Sequence, residues 1–172
     1  MDVLKMVDLV KKNKFLQLID ENQHIIHKIC SLYTVNEEDR KDLSQEIVYQ
    51  LWKSYQSFKG DSKFTTWMYR VALNTALLNL RRDRFRNRTR SFKEHHGNIQ
   101  AETTGTEKTE NISQLYTAIN QLRQFDRAII LLYLEQLSYS EIANVTGVSQ
   151  ANVSVRLVRI KKKLKELLNR GL

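Results

Sequence analysis

"SYSEIANVTGVSQANVSVRLVRIKKKL", residues 138–164, sets two short amphipathic segments on either side of one glycine. The first contains a single charge, Glu141. The second is apolar at Val153, Leu157, Ile160 and Leu164 and basic between them. Apolar residues three and four apart form one stripe of an α-helix. Ser140 is a cap for a helix over "EIANVT", Gly147 suits the left-handed conformation that ends it, and Ser149 caps the next. Ala143 is small where two helices would cross, and Ile142, Val148, Val153 and Leu157 point at a common core. The pattern predicts a helix-turn-helix, whose second helix enters the major groove of duplex DNA with its N-terminal residues at base edges. Its polar face offers Ser149, Gln150, Asn152, Ser154, Arg156 and Arg159. Gln, Asn and Arg are the side chains that pair bidentately with base edges. Lys161, Lys162, Lys163 and Lys165 follow, and they fit phosphate contact. A plain helical hairpin with a solvated basic face shares the periodicity, but it does not call for the capped glycine turn and the alanine together.

Outward from this segment, the composition is that of a helical protein. The chain of 172 residues is 41% hydrophobic, with no proline and five glycines. That is enough to bury one medium core or two small ones. The expected fold is all-α. No stretch approaches the ~18 apolar residues of a membrane span. The N-terminal "MDVLKMVDLVKKNKF" has early acidic residues and no long apolar core, unlike a signal peptide. The single cysteine, Cys30, has no internal partner, which fits the reducing cytoplasm. The net charge of +9 is concentrated: residues 81–100 hold seven basic against two acidic side chains, and residues 149–172 hold seven against one. Two dense basic blocks on amphipathic helices favour a polyanionic partner, nucleic acid.

Helical periodicity runs through residues 3–34 with breaks, then from the "NEED" cap at 36–39 to about Tyr55, with Leu43, Ile47 and Leu51 on one stripe. "FKGDSKFTT" is a loop with two aromatics. A third helix starts near Thr65 and reaches the eighties. A polar segment follows, and periodicity resumes at Ile112. This divides the chain into a domain over 1–90, a polar linker over 91–111, extended or disordered, and a domain over 112–172.

The N-terminal half carries a second set of motifs. "DLSQEIVYQLW", 42–52, is followed by a loop with Phe58, Gly60, Phe64 and Trp67, then Tyr69-Arg70, Ala72, Asn74 and the pair Arg81-Arg82. This run resembles the second conserved region of bacterial sigma factors of the sigma-70 family, in the small extracytoplasmic-function subgroup. The helix-turn-helix resembles the fourth region of the same family, with Ser138-Tyr139 before Glu141-Ile142-Ala143 and with Val153, Arg156-Leu157 and Arg159. There are two departures. Leu122-Arg123 stands where the family usually has Leu-Pro, and Ala151-Asn152-Val153 stands where it often has Gly-Thr-Val. The first should be harmless. The second touches base-reading positions, so a relative's minus-thirty-five sequence does not transfer.

The resemblance implies a dissociable subunit that binds core RNA polymerase and directs it to promoter DNA. It assigns core polymerase binding to Asp42, Gln45, Glu46 and Tyr49, and capture of the single-stranded minus-ten element to Lys63, Phe64, Trp67, Arg70, Asn74, Arg81 and Arg82. It assigns duplex minus-thirty-five reading to Ser149, Gln150, Asn152, Ser154, Arg156, Arg159 and Lys162. In the family the linker threads through the polymerase, and an anti-sigma protein is a common partner. Aromatics beside cations suit single strands on chemical grounds as well, since base stacking is worth roughly 1–3 kcal/mol. Trp67 and Tyr69 are also ordinary core residue types.

Three rival readings are weaker. A helix-turn-helix regulator explains 138–168 but not 42–82. An enzyme needs a glycine-rich phosphate loop, a ligand set or a nucleophile–base pair, and none stands out. An RNA-binding protein would prefer structured RNA to promoter DNA. His24, His27 and Cys30 offer three ligand types, but zinc wants four, so no metal or other cofactor is expected.

Overall fold

The computed structural model describes residues 3–87 and 107–170, with side chains over 9–83 and 112–169. Within them the chain forms eight α-helices: α1 (Val3–Glu21), α2 (Gln23–Tyr33), α3 (Glu37–Tyr55), α4 (Phe64–Asn87), α5 (Glu107–Asn120), α6 (Gln124–Leu134), α7 (Tyr139–Thr146) and α8 (Gln150–Arg170). The all-α expectation holds. The break expected in the first helical stretch falls at Asn22, whose side chain turns back to the carbonyl of Leu18 at 2.8 Å. Asn36 caps α3, its Oδ1 accepting the Asp39 N–H at 2.7 Å. Glu37, Glu38 and Asp39 then sit at the positive end of the helix dipole.

Two helical bodies build up from these elements. In the first, Ile25, Ile29 and Leu32 of α2 meet Leu43, Ile47 and Leu51 of α3 and Met68, Ala72 and Ala76 of α4, all buried. The alanines, four apart on α4, let it approach its neighbours closely. In the second, Ile119 of α5, Leu122 in the turn after it, Ile129 and Leu132 of α6, and Ile142 of α7 close over Val153, Leu157, Ile160 and Leu164 of α8. Each fully buried Leu or Ile contributes roughly 1.5–3 kcal/mol relative to exposure.

Two boundaries differ from expectation. α5 begins at Glu107 rather than Ile112, because apolar periodicity marks only the packed part of a helix and the first turn, Glu107–Asn111, is polar. α4 begins at Phe64, one residue before Thr65. The expected linker path between α4 and α5, and the basic side chains from Arg84 onward in that block, lie outside the described residues.

Arg123 explains why the Leu-Pro departure is tolerated. It precedes α6 with φ −63°, the angle that proline would impose. Arg127 then returns to the end of α5, donating through Nε to the Leu122 carbonyl at 3.0 Å and through Nη2 to the Asn120 carbonyl. It thereby satisfies acceptors left over at a helix C-terminus.

Cys30 points into the core while His24 and His27 are exposed on α2, so the three do not converge on a metal. Burial pushes the Cys30 thiol up to about 12, against a smaller opposing pull from Arg40. The thiolate is the reactive form. Iodoacetamide at about pH 8 is therefore expected to leave Cys30 unmodified in the folded protein and to alkylate it in denaturant, as read by mass spectrometry.

Candidate nucleic-acid interface

α7 and α8 form the helix-turn-helix. The cap of α7 is Ser138, not Ser140. The Ser138 Oγ accepts the Glu141 N–H at 3.2 Å, and Glu141 Oε2 accepts the Ser138 N–H at 2.9 Å. A capping box needs Ser and Glu three residues apart, which only Ser138 satisfies; Ser140 lies inside the first turn. Hydrogen bonds from the Ser138 N–H and hydroxyl, then from Lys63, hold the Glu141 carboxyl below its ordinary value. This stabilises the fold at neutral pH and is lost as the pH falls through that lowered value.

α7 ends at Gly147, with φ 73° and its N–H on the Ala143 carbonyl at 2.9 Å. A Cβ there would meet nothing within 4 Å. Substitution therefore acts through backbone conformation alone. Gly147→Ala is expected to cost about 1–2 kcal/mol in denaturant unfolding, and Gly147→Asn less, because Asn tolerates the left-handed region.

Ser149 caps α8, its Oγ accepting the Asn152 N–H at 3.3 Å. Val153, Leu157, Ile160 and Leu164 are buried; Gln150, Asn152, Arg156, Arg159 and Lys162 are exposed, and Ser154 is half-buried. The predicted readers thus lie along the open side of one helix. Two of the basic residues are engaged within the domain. Arg156 Nη1 pairs with Asp126 Oδ1 at 3.1 Å and its guanidinium lies over Phe125. Lys161 lies over the ring of Tyr133, 3.9 Å from its centroid. Residue-type reasoning missed Val155 and Val158, which are 50% and 68% exposed on this open face. They are apolar yet out of phase with the core stripe, and that mismatch was the available signal.

In the first body, Lys63, Trp67, Arg70, Asn74, Leu78 and Arg81 recur at three- and four-residue spacing, which aligns them on one side of α4. Arg70, Asn74, Leu78 and Arg81 are exposed; Arg82 is exposed off that stripe. Leu78, 52% exposed, was not anticipated. Phe64 and Trp67 are half-buried in a ring cluster beneath the 58–63 loop. Their centroids lie 5.3 Å apart, with Phe58 5.0 Å from Trp67 and Tyr55 6.4 Å from Phe64. The cluster anchors the loop and leaves part of each ring open to solvent. Tyr69 is buried.

On α3, Asp42, Gln45 and Tyr49 are exposed opposite Leu43, Ile47 and Leu51. Glu46 is half-buried and accepts from Gln50 Nε2 at 2.8 Å. Trp52, one turn beyond Tyr49, stays 37% exposed while its ring meets Phe15 edge-on at 5.0 Å. It joins this face although it had been read only as part of the motif.

Comparison with known proteins bears on both bodies. The family model described as sigma-70 region 2 matches residues 18–86, and that described as sigma-70, region 4 matches residues 112–164. The extracytoplasmic-function (ECF) RNA polymerase sigma factor SigW of Bacillus subtilis is 24% identical over 98% of the chain and 97% of its own length. The RNA polymerase sigma-H factor of Pseudomonas aeruginosa is 28% identical over 91% and 87%. ECF sigma factor SigE of Mycolicibacterium smegmatis is 27% identical over 88% of the chain, which spans 60% of that relative. Among solved structures, the sigma factor RpoE bound to the anti-sigma factor NepR from Bartonella quintana shares the fold. Its TM-score is 0.76 at 19% identity, covering 91% of this chain and 97% of that one. CnrH, in complex with the cytosolic domain of CnrY, has a TM-score of 0.65 at 23% identity, covering 94% of this chain and 91% of that one.

Proposed function

We propose, from the premise that the chain belongs to the extracytoplasmic-function group of the sigma-70 family, that it is a dissociable RNA polymerase subunit directing promoter-specific initiation. The observation that carries this reading is the occurrence of two different polar and basic surfaces, in the family's order, on one chain. One is a capped recognition helix with exposed Gln150, Asn152 and Arg159. The other is an aromatic-anchored loop over a stripe of Arg70, Asn74 and Arg81.

Their chemistry divides the work. α8 reads the minus-thirty-five duplex: Gln150, Asn152, Arg156 and Arg159 supply donors to base edges, Ser149, Ser154 and Lys162 contact edges or phosphates, and Val155 and Val158 offer apolar contact to thymine methyl groups. On α4 and its loop, the open parts of Phe64 and Trp67 stack on unpaired minus-ten bases, Asn74 hydrogen-bonds an extruded base, and Lys63, Arg70, Arg81 and Arg82 hold phosphates. Extrusion costs a few kcal/mol, about what one stacked and hydrogen-bonded base returns. Asp42, Gln45, Glu46 and Tyr49, with Trp52, form the face that docks on core polymerase in the cytoplasm. An anti-sigma protein is a further partner, supported by the two similar chains solved in complex with NepR and CnrY.

The test is reconstitution with core polymerase on a genomic promoter library. Run-off transcripts that start at a shared promoter sequence are expected only when the protein is added. Tight sequence-specific footprints by the protein alone, with no dependence on polymerase, would point to a regulator instead.

A further inference from the structure

Among the described residues, Arg156 alone of the predicted duplex readers is held from outside its own helix. Its Nη1 donates to Asp126 Oδ1 at 3.1 Å, and its guanidinium carbon lies 5.1 Å from the centroid of the Phe125 ring. Both partners stand in the first turn of α6. Phe125 is half-buried and packed against the core, so the platform under the guanidinium is fixed by packing. The Asp126 side chain is 23% exposed and that of Arg156 44%. The pair therefore sits at the margin of the domain, with the arginine still open to solvent on the side of Asn152 and Arg159, its neighbours four and three residues away on α8.

A guanidinium carries five N–H donors in a planar fork. Asp126 takes one corner, at Nη1. Among the described residues, Nε and Nη2 make no hydrogen bond within the protein, which leaves a complete edge of two parallel donors. Such an edge pairs bidentately with O6 and N7 of guanine in the major groove. A free arginine must give up rotamer freedom to make that contact, whereas one already gripped at Nη1 and laid over a ring has given it up in advance.

The carboxylate is otherwise out of place here. A negative charge beside a DNA-facing helix repels phosphates and weakens binding to every duplex alike. The dipole of α6 accounts for an acid in its first turn. It does not account for a bond across to α8, 30 residues away. Neutralising Arg156 locally also makes it a poorer general phosphate anchor and leaves its donor geometry as its main asset.

We propose that Asp126, with Phe125 beneath, is a positioning residue that sets base specificity: it aims the free edge of Arg156 at one guanine of the upstream duplex. The proposal rests on the reading of α8 as the duplex-recognition helix given above.

Holoenzyme reconstituted on the promoter library, with base preference scored position by position, tests it. Arg156→Ala is expected to abolish the guanine preference at one position of the upstream element. Asp126→Ala should lower the preference at that same position about ten-fold and leave the other positions near wild type. The double variant should be no worse than Arg156→Ala alone, because the two residues act as one unit. Templates with a competing base at that position should gain rather than lose transcription in Asp126→Ala, since a charge facing phosphates is gone. Asp126→Asn keeps an acceptor of the same shape and should recover part of the preference. Circular dichroism checks the fold. Phe125→Leu, which keeps an apolar contact with the core but removes the ring face, should weaken the same preference and serves if Asp126→Ala loses helicity. A uniform fall across all positions, as a merely destabilised helix would give, would overturn the proposal. So would a change at a position that Arg156→Ala leaves alone, or no guanine preference lost in Arg156→Ala. Absence of any shared promoter sequence with the wild-type protein would overturn the sigma-factor reading instead, before any variant is compared.

Discussion

Gln45→Ala combined with Glu46→Lys is expected to weaken association with core polymerase by about a hundred-fold while leaving the fold intact. Both residues lie on the outer side of α3, away from Leu43, Ile47 and Leu51, so their replacement opens no cavity. Within the protein the change removes one hydrogen bond, from Gln50 to Glu46. A pair at this helical spacing is worth only about 0.2–0.5 kcal/mol. At an interface the balance differs. Reversing a charge that has been desolvated against a partner leaves both groups unpaired, and truncating such a pair typically costs about 2–5 kcal/mol. Exposed Tyr49 and Trp52 beside Glu46 provide the apolar surround that would exclude water there. Co-purification and a binding titration with core polymerase measure the loss, and far-ultraviolet circular dichroism measures helicity. Wild-type affinity in the double variant would remove α3 from the docking face.

Legibility followed the range of the interaction. The recognition helix could be read because its periodicity is local: Val153, Leu157, Ile160 and Leu164 announce the buried side without knowledge of what covers them. The cap of α7 was equally local and was still placed two residues late. Ser138 and Ser140 both precede Glu141, and the deciding clue was the three-residue interval from Ser138 to Glu141. The start of α5 was hidden for a different reason, since a polar turn leaves no apolar mark. Among the site residues, the stripe from Trp67 through Asn74 to Arg81 follows from helical spacing once α4 is accepted. The partners of charged residues do not follow in this way. Arg156 with Asp126, Lys63 with Glu141 and Lys28 with Glu135 join positions far apart in sequence, and any of the nearby opposite charges would have served as well on paper. Only the packing of α2 and α4 against α6 and α7, and of α6 against α8, selects them.

Arg156's engagement with Asp126 and Phe125 shapes the experiment that best separates duplex reading from strand capture. Arg156→Ala would disturb the α6–α8 contact as well as any DNA contact. Arg159, exposed one turn further along α8, is the cleaner probe. Arg159→Ala is expected to lower promoter binding about 5- to 150-fold, the equivalent of about 1–3 kcal/mol for one bidentate base contact. Strand opening in the complexes that do form should be nearly normal. Asn74 is exposed on α4 between buried Leu73 and Thr75, so Asn74→Ala should also spare the fold. Its assigned ligand, an extruded base, exists only after melting begins. Asn74→Ala should therefore leave closed-complex formation intact and reduce permanganate reactivity of thymines near the start site about ten-fold or more, as loss of a hydrogen bond worth about 1.4 kcal/mol or more predicts. A pre-melted bubble template supplies the extrusion cost of a few kcal/mol in advance. It should rescue Asn74→Ala strongly and Arg159→Ala hardly at all, because a bubble around the start site leaves the upstream duplex, and its missing contact, unchanged. Equal rescue of both variants, or of neither, would mean that the two bodies do not divide duplex reading from strand capture, and that α4's stripe and α8's open face act on the same form of the DNA.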